Sequence, residues 1–91
     1  MELDEVRRKI DDVDTQVIAL LAQRASLVSA AGKLKKDEQG VRDPKRVEQV
    51  INTVKAKAAA AGLDPAIAEK TYRTLIDCFI QRELSEFSRK G

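Results

Sequence analysis

The stretch LDEVRRKIDDVDTQVIALLAQRASLVSAAGKLK, residues 3–35, decides the fold. Its apolar residues fall at Leu3, Val6, Ile10, Val13, Val17 and Leu20, then at Leu27, Ala31 and Leu34. Steps of three and four alternate, which is a heptad seam with one slot left over. Arg24 fills that slot, and Arg7 and Asp14 ride along the edge of the stripe. No proline or early glycine interrupts the run, so the pattern predicts one helix from Leu3 to Lys35 or Lys36. At 1.5 Å per residue it is ~50 Å long. A compact domain of this size has a radius of gyration of only ~12 Å, so such a helix calls for a partner chain.

Outward from this helix, Lys36-Asp37-Glu38-Gln39-Gly40-Val41-Arg42 is polar and contains a glycine, and reads as a loop. Asp43-Pro44 then supplies an N-cap followed by proline at the first helical position. A second helix carries Val47, Val50, Ile51, Val54, Ala58 and Ala61 on its apolar stripe, and Gly62 stands where a C-terminal cap belongs. Asp64-Pro65 repeats the start signal. A third helix runs through Ile67, Tyr72, Leu75, Ile76, Phe79, Ile80, Leu84 and Phe87, with fraying expected near Arg89-Lys90-Gly91. The expected architecture is all-α, three helices per chain with the first very long, in an intertwined homodimer, and residues 1–91 form a single domain.

Composition narrows the chemistry. Seventeen Lys and Arg face fifteen Asp and Glu, a net charge of +2 with the signs interspersed, so no basic face of the nucleic-acid type stands out. No apolar run approaches the ~20 residues needed to cross a bilayer, and no secretory signal is expected from an acidic N-terminus without an apolar core. The expectation is a cytoplasmic protein without nucleic-acid or membrane partners. With no histidine and one cysteine, the usual general base, the commonest metal ligand and an intrachain disulfide are missing. Neither metal nor cofactor is expected, and chemistry must run on Arg, Lys, Asp and Glu.

Two positions break the pattern. Arg24 occupies a seam slot, where a guanidinium is costly to bury unless it meets something negative, a carboxylate first of all. Lys35 follows eleven residues later, three turns plus ~20° on one helix, so both cations are expected on one face ~16 Å apart. The span between them, over the small Ala31, suits a small dianion. Arg7 lies ~25 Å before Arg24 and cannot reach that span within its own chain, but a two-fold antiparallel partner can bring it there. Arg46 flanks the second helix's stripe one turn before Val50, and Glu83 rides the edge of the third helix's buried face one turn past Phe79. Plainer readings stand beside these: Arg24 as a register-setting seam residue, Lys35 as a cation at a helix C-terminus, Asp43 as an N-cap, Arg46 and Glu83 as solvated or mutually paired charges, and Cys78 as a small buried hydrophobe.

The chain resembles the all-helical chorismate mutase family from about Leu3 to Phe87. The resemblance rests on Val6-Arg7-Arg8-Lys9-Ile10 with Asp11-Asp12-Val13-Asp14, on Ala19-Leu20-Leu21-Ala22-Gln23-Arg24, on Gly32-Lys33-Leu34-Lys35, on Val41-Arg42-Asp43-Pro44-Lys45-Arg46, and on Gly62-Leu63-Asp64. It implies an intertwined homodimer whose sites are each completed by an Arg of the other chain. It further implies that Arg24 and Arg7 from the partner chain hold the two carboxylates of chorismate, with Arg46 nearby. By the same resemblance Lys35 donates to the ether oxygen whose bond to carbon breaks, Glu83 hydrogen-bonds that oxygen, and Asp43 sits by the ring hydroxyl. The implied reaction, chorismate to prephenate, is a cofactor-free pericyclic step, driven by holding the substrate folded and by cations against the ether oxygen.

The sequence departs from the commonest mutase pattern at Val47, where many mutases have a Glu on the ring hydroxyl, and at Phe79, where a Ser often sits. Both changes resemble the related isochorismate-pyruvate lyases, whereas Glu83 stands where those lyases have Gln. Aminodeoxychorismate mutases are a third possibility within the set, and a helical dimerisation module without activity is the reading outside enzymes. For Glu83 to donate to an ether oxygen it must carry a proton, so activity is expected to fall as pH rises through neutrality.

Overall fold

The computed structural model describes residues 1–90, the last by its backbone alone, and among them every regular element is helical. The elements are α1 (Leu3–Gly32), α2 (Glu38–Arg42), α3 (Pro44–Ala61) and α4 (Pro65–Lys90). Helices α1, α3 and α4 are the three that the periodicity predicts, and α2 is additional. Of the expected fraying at the C-terminus, helix persists through Lys90, and Gly91 lies outside the described residues. No described helix is long and apolar enough to cross a membrane.

The chain divides into two compact units, Met1–Lys33 and Leu34–Gly91. The first is α1. Asp4 and Glu5 occupy its first turn, where carboxylates meet the positive end of the helix dipole. None of its residues is buried within the chain: Leu3, Val6, Ile10, Val13, Val17, Leu20 and Leu27 are all exposed. A seam of that length without a covering surface is the heptad pattern seen from its open side.

Helix α1 ends at Gly32 and does not run on to Lys35 or Lys36. Lys33 N–H closes the last turn on the Ser29 carbonyl at 3.2 Å. Glycine weakens a helix by ~1 kcal/mol relative to alanine, and a competing start signal lies just beyond. That signal is Asp37, whose Oδ1 accepts from Gly40 N–H at 2.9 Å and caps α2. The stretch read as a loop therefore contains a five-residue helix and contributes a core residue, Val41, only 4% exposed. Gly40 disguised it, because a glycine among polar residues reads as a breaker.

The second unit is a helical hairpin, α3 against α4, with α2 packed on α4. Its core is Val41, Ile51 and Ala58 with Ala68 of α4. The three predicted caps form. Asp43 Oδ1 accepts from Arg46 N–H at 3.2 Å, with Pro44 at the first helical position. Gly62 takes φ 81°, Leu63 N–H reaches the Ala58 carbonyl and Gly62 N–H that of Ala59, which together make a Schellman ending. Asp64 Oδ1 accepts from Ala66 N–H at 2.9 Å to open α4. Cys78, expected as a buried hydrophobe, is exposed on α4.

Candidate active site

Lys35 and Glu83 come together in the second unit. Lys35 Nζ donates to Glu83 Oε2 at 3.0 Å, with the side chains 27% and 10% exposed. Glu83 is thus neither a solvated charge nor a partner of Arg46. Its low exposure and the 48-residue separation make this a tertiary contact between α4 and the segment before α2. The Lys35 stem lies over the backbone of Gly40, where an added Cβ would be 3.5 Å from Lys35 Cβ.

Lys35 is not on α1, so the expectation that it shares a helix face with Arg24 fails, and with it the reading of Lys35 as a cation in the last turn of the long helix. Helix α1 ends at Gly32, and Lys35 is positioned by α2 and α4 instead. Arg24 is half-buried and Arg7 exposed, both on α1 in the first unit, seventeen residues apart. That is ~25 Å along the axis, so they do not converge within one chain.

The other expected residues lie on the hairpin. Asp43 caps α3 with a left-handed φ of 22°, so its side chain has a structural task that the cap reading anticipates. Arg46 is exposed in the first turn of α3, and Val47 beside it is half-buried. Phe79 is half-buried on α4, one turn before Glu83. The chemistry this places in one unit is an ammonium and a carboxyl group in contact, with an apolar residue on each of two neighbouring helices.

A second charged cluster joins α3 to α4 and escaped sequence reading. Arg73 forks onto Glu48, Nη1 to Oε2 and Nη2 to Oε1 at 3.0 Å each, and its Nε donates to Glu69 Oε2 at 2.9 Å. Lys55 Nζ lies 3.2 Å from Glu69 Oε1. The hydrogen bonds from Arg73 hold the Glu48 carboxyl below its ordinary value, and those from Arg73 and then Lys55 do the same for Glu69. The Glu48 bonds in turn raise Arg73. The Glu69–Arg73 spacing of four was visible as a helix-surface pair, but Glu48 is 25 residues away and only the hairpin brings it in.

Comparison with known proteins joins this geometry to a family. The family described as chorismate mutase type II matches residues 6–84. The chain belongs to that family. It is 28% identical over 78 residues to the chorismate mutase of Methanocaldococcus jannaschii, covering 84% of this chain and 78% of that protein. It is 27% identical over 82 residues to the isochorismate pyruvate lyase of Pseudomonas aeruginosa, covering 90% of this chain and 81% of that protein.

Proposed function

We propose that the protein is a chorismate mutase, working as a homodimer in the cytoplasm, with residues 1–91 acting as one mutase-like domain. The observation that carries the reading is the contact between Lys35 and Glu83, the two residues that the family resemblance assigns to the substrate's ether oxygen. In the reaction one carbon–oxygen bond breaks as a carbon–carbon bond forms, and negative charge grows on the ether oxygen. Lys35 donates to that oxygen, with Glu83 hydrogen-bonded beside it, in a part of the protein with limited water access. Arg24 and Arg7 of the second copy take the two carboxylates and hold the enolpyruvyl arm over the ring, with Arg46 adding positive charge and Asp43 near the ring hydroxyl. No nucleophile, general base, metal or cofactor takes part. The uncovered apolar seam of α1 supports the dimer, since its Leu, Ile and Val side chains each gain ~1.5–3 kcal/mol on burial.

A specific observation favours a second reading, the lyase that splits isochorismate into salicylate and pyruvate. Val47 and Phe79, both half-buried, offer no hydrogen bond to a ring hydroxyl, and the Pseudomonas relative is as similar as the archaeal one. The test is to offer chorismate and isochorismate separately to purified protein and identify the products. Prephenate supports the mutase, whereas salicylate with pyruvate replaces it by the lyase. Neither product directs the assay to aminodeoxychorismate, and failure there leaves the dimerisation module.

A further inference from the structure

Helices α3 and α4 are tied covalently only at the Gly62–Asp64 turn, whereas the residues assigned to substrate lie toward the other end of the hairpin: Arg46 and Val47 in the first turn of α3, Phe79 and Glu83 in the later half of α4. Glu48 is ~21 Å along α3 from Gly62, so a small change in the crossing of the two helices is magnified there. The Arg73 fork grips α3 at that point, one residue past Val47. Single exposed ion pairs contribute little, but a bidentate guanidinium–carboxylate pair within a four-residue network fixes both distance and rotation. Glu69 shares its two oxygens between Arg73 on its own helix and Lys55 on α3, which braces the Arg73 side chain in its reach toward Glu48.

We propose that Arg73 is a positioning residue for the substrate site. Its fork on Glu48 sets the height and rotation of the first two turns of α3 against α4, and so the placement of Arg46 and Val47 relative to Phe79 and Glu83. The inference rests on the reading that these four residues face a chorismate-like dianion. It assigns Arg73 no contact with substrate.

The test compares Arg73→Gln, Arg73→Lys, Glu48→Gln and the double variant Arg73→Gln/Glu48→Gln with the unaltered protein, using chorismate and isochorismate, at a temperature where circular dichroism reports full folding. Glu86→Gln, which removes the exposed Arg82–Glu86 pair, serves as control. Arg73→Gln is expected to raise KM about tenfold with kcat changed less than about threefold. Glu48→Gln should match it, the double variant should be no worse than either single, and Arg73→Lys should recover only part because an ammonium cannot fork. A merely structural role would lower the folded fraction and leave KM in place, and that result, or additive single effects, overturns the proposal. Amide exchange over residues 46–49 gives a readout independent of turnover: it should quicken in Arg73→Gln and Glu48→Gln but not in Glu86→Gln. If the unaltered protein turns over neither compound, the functional reading fails by itself, and unchanged exchange in those variants would still overturn the positioning role.

Discussion

Lys35 Nζ stands 3.0 Å from Glu83 Oε2, a contact between a residue just past α1 and one near the end of α4. The two side chains satisfy one another, so removing either leaves the other without this hydrogen-bond partner. Lys35→Met is expected to lower turnover at least ~100-fold, because the donor against the developing oxyanion is lost. It should also cost about 1–2 kcal/mol of stability, because Glu83 Oε2 loses its hydrogen-bond donor. Steady-state rates and urea denaturation check the two effects, and turnover within about threefold of the unaltered protein would remove Lys35 from the chemistry.

Glu83 donates to an ether oxygen only as the acid. Glu83→Gln, whose amide N–H donates without a proton to lose, is therefore expected to turn over at least as fast as the unaltered protein, whereas Glu83→Ala should be slower by about tenfold or more. The check is the steady-state rate of the three proteins at one pH. Equal rates for Glu83→Ala and the unaltered protein would remove Glu83 from the chemistry.

Acid should loosen the hairpin. Glu48 and Glu69 are both held below their ordinary carboxyl values, first of all by hydrogen bonds from Arg73. A carboxyl depressed in the folded state contributes stability in full above its unfolded value, ~4.3, and loses it as pH falls through the folded value. Melting temperatures recorded between pH 6 and pH 2 should therefore drop more in the unaltered protein than in Arg73→Gln. Equal slopes would contradict the network.

The α1 seam should be the dimer interface. Val13→Asp puts a carboxylate into the middle of the apolar stripe twice per dimer, with no partner on either side. Sedimentation equilibrium is expected to give dimer for the unaltered chain and monomer for the variant at micromolar concentration. A monomeric unaltered chain would overturn the assembly proposed above.

Gly40 lies inside α2, and an added Cβ would meet Asp37 Oδ1 and Lys35 Cβ at 3.5 Å, ordinary contact distance. Gly40→Ala is expected to stabilise the second unit by about 0.5–1 kcal/mol through helix propensity. A lower melting temperature would mean that the Lys35 stem needs the glycine surface more closely than this contact implies.

Much of this architecture was written locally. The spacing of Leu3 to Leu27 specifies α1, and Asp43-Pro44, Gly62 and Asp64-Pro65 mark the start of α3, its end and the start of α4, because caps depend on one or two residues and their immediate backbone. Family motifs pointed to Lys35 and Glu83 by position. Local pattern failed where two signals competed: Gly32 weakens α1 while Asp37 opens a new helix, so Lys35 leaves the face it was expected to share with Arg24. It failed at Val41 for the related reason that burial of one apolar residue in a polar run is decided by α4, not by its neighbours.

The sequence by itself thus determined an all-helical chain with an apolar seam along α1, since periodicity and capping act over a few residues. Only the tertiary structure decided that Lys35 pairs with Glu83 and that Arg73 forks onto Glu48. Those contacts span 48 and 25 residues, and whether two distant side chains meet depends on where helices end and how they cross, which no local pattern encodes.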